Sequence, residues 1–99
     1  MSEPSDNETR TVRVEGELDM DNVPARLRKS ADWFDRDRDT IIDLGGVTRA
    51  DSAGVALLLE WIRDARQSGG SLEFINAPPQ MHAIIDFCAL DDVISLTKR

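Results

Sequence analysis

One histidine, one cysteine, no tyrosine and no apolar run longer than Val55 to Leu59 set the first limits on this 99-residue chain. A lone cysteine, Cys88, forbids an intramolecular disulfide, which agrees with a reducing compartment. A lone histidine, His82, leaves a zinc site short of ligands, because Asp86 one helical turn on supplies only a second donor. His82 also lies far along the chain from Ser52, so no Ser-His-acid set suggests itself. The longest apolar run falls far short of the roughly 20 residues that a bilayer span needs. The glycine pairs at 45 and 69 belong neither to a G-x-x-x-x-G-K-[ST] phosphate loop nor to a G-x-G-x-x-G turn. Basic residues are scarce, 12 against 19 acidic, for a net charge of -7 that repels nucleic acid and anionic lipid headgroups. The nearest basic groups, Arg26-Leu27-Arg28-Lys29 and Arg36-x-Arg38, are interleaved with Asp32, Asp35, Asp37 and Asp39 and read as solvated faces. Asp35-x-Asp37-x-Asp39 opens like a calcium loop but fails, with Thr40 where glycine is needed and Gly46 where a bidentate glutamate is needed. These absences leave no enzyme, no cofactor, no metal site and no nucleic-acid partner to argue for.

What remains is a protein with 40% hydrophobic and 31% charged residues, an ordinary soluble balance at a length that suits one domain with one core. Residues 1–10 read as a disordered polar tail without the apolar core of a signal peptide, and residues 11–97 as the domain. Thr11 to Glu15 alternates as a half-buried strand does, and Gly16-Glu17-Leu18-Asp19 turns out of it. Asp21 or Asn22 then caps a helix with Pro24 in its first turn and Val23, Leu27, Ala31 and Phe34 inward, with Trp33 beside them. Thr40 to Leu44 reads as a buried strand that Gly45-Gly46 ends. A second helix runs from about Ser52 to Gln67 and stops at Ser68-Gly69-Gly70. Leu72 to Ile75 is a strand, and Pro79 opens a third helix with Met81, Ile84, Ile85 and Cys88 inward, Cys88 as packing and not as a nucleophile. Val93 to Leu96 is too short to assign. Strands alternating with helices imply crossover units and a small mixed or partly parallel sheet.

On the second helix, Val55, Leu58, Leu59 and Ile62 share one side and are expected to face the sheet. Leu57 and Trp61 fall away from that stripe, alongside Ala53, Glu60 and Asp64. They offer either an interface anchor or an indole folded over the helix edge. Ser52 suits a helix N-cap, a role its hydroxyl fills without any further function.

The stretch Thr48-Arg49-Ala50-Asp51-Ser52-Ala53-Gly54-Val55-Ala56-Leu57-Leu58-Leu59 brings a strand into a helix on Asp-Ser-x-Gly. With Ile41-Ile42-Asp43-Leu44, Leu72-Glu73-Phe74-Ile75, the Gly16 to Asp19 turn and Leu90-Asp91-Asp92-Val93, it resembles the STAS family, the domain of sulfate-transporter tails and anti-sigma-factor antagonists. The likeness covers roughly residues 11–97. Ala56-Leu57-Leu58-Leu59, Arg63-Asp64-Ala65-Arg66 and Asn76-Ala77-Pro78-Pro79-Gln80-Met81 look most like the branch that serves the Mla phospholipid ABC transporter. The resemblance implies a non-enzymatic, cytoplasmic accessory subunit, held at the inner membrane only through its complex, that docks on the transporter's ATPase and supports outer-membrane lipid asymmetry. The expected contact surface is Asp51, Ser52, Ala53, Gly54, Leu57, Glu60 and Trp61. In the antagonists the serine matching Ser52 is phosphorylated by an anti-sigma factor kinase, which makes a phosphorylation-switched antagonist the alternative. A helix start stabilises such a dianion.

Overall fold

The computed structural model describes residues 9–34 and 39–97. The strands are β1 (Arg10–Leu18), β2 (Thr40–Ala50), β3 (Leu72–Ile75) and β4 (Leu96–Thr97), and the helices α1 (Val23–Lys29), α2 (Ser52–Ser68) and α3 (Pro79–Phe87), with a 3₁₀ turn at Ser30–Asp32. The sheet order is β1-β2-β3-β4 and every pairing is parallel. Each crossover steps one strand over in the same direction, so right-handed connections lay the helices on one face of the sheet. Val14, Leu18, Ile42, Leu44 and Phe74 meet Val55, Leu57, Leu58, Trp61, Met81, Ile85 and Ile94 there in a single core. Within Val93 to Leu96, Ile94 is buried and Leu96 begins β4 beside Phe74.

The other face of the sheet carries charge. Arg13 pairs with Glu15 at 2.8 Å and with Asp43 at 3.3 Å. Asp43 also accepts from the Gly45 amide at 2.8 Å and from Asn76 Nδ2 at 3.1 Å. These bonds, led by that of the Gly45 amide, hold the Asp43 carboxyl below its ordinary value. The glycine pair does not end β2, which keeps pairing with β1 beyond it. Between Arg13↔Asp43 and Glu15↔Gly46 the second strand carries one extra residue, and again between Gly16↔Val47 and Glu17↔Arg49. The strand absorbs these insertions as bulges and continues to Ala50.

Two other boundaries depart from expectation. Asn22 stands at the start of α1, but its side chain makes no cap bond there and turns back to Asp19. Because α1 tightens into the 3₁₀ turn after Lys29, the helical phase breaks, and Ala31 faces solvent while Trp33 packs on Trp61 with ring centroids 5.2 Å apart. Likewise α3 ends at Phe87, and Cys88 at its C-cap is exposed instead of packed, because the chain turns away through Ala89 at φ +57°. Asp35, Arg36, Asp37 and Arg38 lie outside the described residues, as does most of the expected tail.

Candidate functional site

Leu18 and Ala50 end β1 and β2 side by side. From there the Asp51 amide donates to Leu18 O at 3.2 Å, which ties the start of α2 to the end of β1. A second tie comes from α3, where Gln80 Oε1 accepts from the Ala50 amide at 3.0 Å. Gly54 makes the approach possible. A Cβ there would stand 2.9 Å from Leu18 O and 3.0 Å from Leu18 Cβ, so the helix rests directly on strand backbone.

Asp51, not Ser52, is the N-cap. Its Oδ1 accepts from the Ala53 amide at 2.8 Å, and its carbonyl accepts from the amides of Gly54 and Val55. Ser52 is thereby displaced to the first helical position, exposed, with a hydroxyl that makes no hydrogen bond among the described residues. An aspartate with extended backbone geometry caps as well as serine does, and sequence alone left two capping residues in tandem.

Leu57 and Trp61 are core residues, each 0% exposed, and they leave the candidate surface. Gly54 pressed against β1 sets the phase of α2, and the buried set Gly54, Val55, Leu57, Leu58, Trp61 and Ala65 recurs at helical spacing about that contact. Centring the inward face on the aliphatic residues alone misplaces it, because Leu59 and Ile62 lie at its half-buried edge. The Trp61 indole finds its polar partner inside: Nε1 donates to Ser30 Oγ at 2.8 Å, and that hydroxyl donates to Leu27 O at 3.1 Å.

What α2 presents outward near its start is therefore Asp51, Ser52, Ala53, Ala56 and Glu60, with Ala53 half-buried and the others exposed. The β1–α1 turn adds residues that the sequence reading passed over. Asp19 Oδ1 accepts from the amides of Asp21 and Asn22, Asn22 Oδ1 accepts from the amide of Asp19, and Met20 between them is 75% exposed. An apolar residue set between two aspartates was the available signal. Asp19, Met20, Asp21, Arg49 and Asp51 line one depression beside the helix start. Among the described residues no cluster of histidine, cysteine or carboxylate side chains is placed to hold a metal ion. The small side chains of Ser52, Ala53 and Ala56 leave the start of α2, tied there to Leu18 and to Gln80, open to close approach.

The family model described as the Mlab, STAS domain matches residues 1–97. The anti-sigma-B factor antagonist of Bacillus subtilis (strain 168) is 25% identical over 88 residues, spanning 89% of this chain and 81% of that protein. Among solved structures, a candidate anti-sigma factor antagonist from Thermotoga maritima superposes with a TM-score of 0.72 at 15% identity, over 90% of this chain and 79% of that one. The anti-sigma factor antagonist SpoIIAA in its unphosphorylated form gives a TM-score of 0.59 at 21% identity, over 94% and 82%. At these identities the structural likeness speaks for the fold.

Proposed function

The chain belongs to the STAS family, and from that premise we propose that it is a non-catalytic docking subunit for the ATPase of a phospholipid ABC transporter that maintains outer-membrane lipid asymmetry. The observation that carries this reading is the start of α2, exposed, anchored at Leu18 and Gln80, and lined by the small side chains of Ser52, Ala53 and Ala56. The Mlab description of the matching family model favours the transporter branch. Contact falls to Asp51, Ser52, Ala53, Ala56 and Glu60, while Gly54 acts from beneath by letting the helix sit on β1. Such a subunit supports an ATPase by binding one of its shapes more tightly than others, which requires no chemistry of its own. No helix among the described residues is long and apolar enough to cross a membrane. The proposed place is the cytoplasm, at the inner membrane only through the complex.

Ser52 favours a second reading. Its hydroxyl stands exposed at a helix N-terminus, where a phosphate is electrostatically welcome, and a relative 25% identical is an anti-sigma-B factor antagonist. Affinity purification of the tagged chain from its native cell, with mass spectrometry of what co-elutes and phosphate-affinity gels of the chain itself, separates the two. The transporter reading expects an ABC ATPase and a single unphosphorylated form. Recovery of a serine kinase of the anti-sigma type with a Ser52 phosphoform overturns it.

A further inference from the structure

We propose that the β1–α1 turn is the second half of the docking surface, with Met20 as its apolar anchor and an acidic rim that selects a basic face on the partner. The inference rests on the reading of the chain as an ATPase-docking subunit. Met20, 75% exposed, lines the depression that also holds Asp51, the cap of α2, so the two halves are continuous. Among the described residues the other large exposed apolar side chains, Phe87 and Val93, lie at the end of α3 and in the loop beyond it. The reciprocal bonds between Asp19 and Asn22 fix the turn, so presenting Met20 to a partner costs little ordering. Its flexible thioether fills irregular pockets that a branched side chain does not.

The charge around Met20 identifies the face it meets. Around Met20 the depression is lined, among the described residues, by Asp19, Asp21 and Asp51 against the one cation Arg49, while Glu60, exposed further along α2, pairs with Arg63 at 4.0 Å. A partner that buries Met20 brings its own charges against this rim. An acidic face is repelled and a basic one drawn in, so the two features act at different stages. The rim governs approach, and the buried anchor governs residence.

The test is binding kinetics of the purified chain on the immobilised transporter ATPase subunit at low and high ionic strength. Wild-type association is expected to slow as salt rises. Asp21→Lys should slow association several-fold and flatten its salt dependence. Met20→Ala should leave association unchanged and speed dissociation about tenfold, with Met20→Leu restoring most of the residence time. Asp92→Lys, exposed after α3, serves as the charge control. Wild-type binding that neither Met20→Ala nor Asp21→Lys alters overturns the inference and leaves the docking reading standing. A wild-type chain that does not bind the ATPase at all overturns both.

Discussion

At the scale of single residues, Asp51 and Ser52 divide two tasks that the sequence assigned to one of them. Because Asp51 accepts the first-turn amide, Asp51→Ala is expected to cost about 0.5–2 kcal/mol, whereas Ser52→Ala should change stability by less than about 0.5 kcal/mol. Denaturant unfolding of both variants checks this, and equal losses would contradict the division. Asp43 carries the clearest pH dependence. A carboxyl held below its ordinary value of 3.8 by the Gly45 amide, Asn76 and Arg13 contributes stability that is whole above that value and lost as pH falls through its folded value. Wild-type protein should therefore lose stability more steeply than Asp43→Asn as pH falls below the ordinary carboxyl value of 3.8. Parallel acid limbs in thermal melts would remove Asp43 from the account.

At the scale of elements, the strand-helix alternation was legible because each unit carries its own local signal. Pro24 and Pro79 open helices, Gly69 closes α2 in the left-handed conformation at φ +88°, and β-branched runs mark β1 and β2. The phase of α2 was not legible, since it depends on where the helix touches the sheet. Leu57 and Trp61 look outward until Gly54 is seen against Leu18 and Ser30 is found beneath the indole, both tertiary facts. The reach of β2 beyond Gly45 was hidden for the same reason, because bulges are defined by the partner strand. The site was half legible: Asp51 to Gly54 stand where the motif placed them and Met20 carried a local signal between two aspartates, while its place beside Asp51 and the exposure of Ala56 depend on how the turn and the helix pack. Gly54→Ala tests the contact that organises both. A methyl 2.9 Å from Leu18 O pushes α2 off β1, which is expected to destabilise by about 1–3 kcal/mol and to loosen the Asp51 to Leu18 bond. Unchanged stability, with the Asp51 amide still protected from hydrogen exchange, would show that this contact gives way freely.

At the scale of the whole molecule, the layers divide the work. One face of a parallel sheet is packed by helices into a core that takes in Leu57 and Trp61, the opposite face is held by the Arg13, Asp43 and Asn76 network, and the start of α2 is fixed at the rim by strand and helix together. A docking surface built this way is rigid before the partner arrives, so binding need not order it first. The central claim is that this rim meets the ATPase. Ala56 lies in its middle, exposed on a helix whose inward face it does not touch, so Ala56→Arg blocks contact without disturbing the core. The decisive measurement is the affinity of the purified chain for the transporter ATPase, wild type against Ala56→Arg, with thermal melts alongside. The account predicts tight wild-type binding, at least about a tenfold loss in the variant, and coincident melts. Equal affinity of the two proteins, or no binding by the wild type, would contradict it.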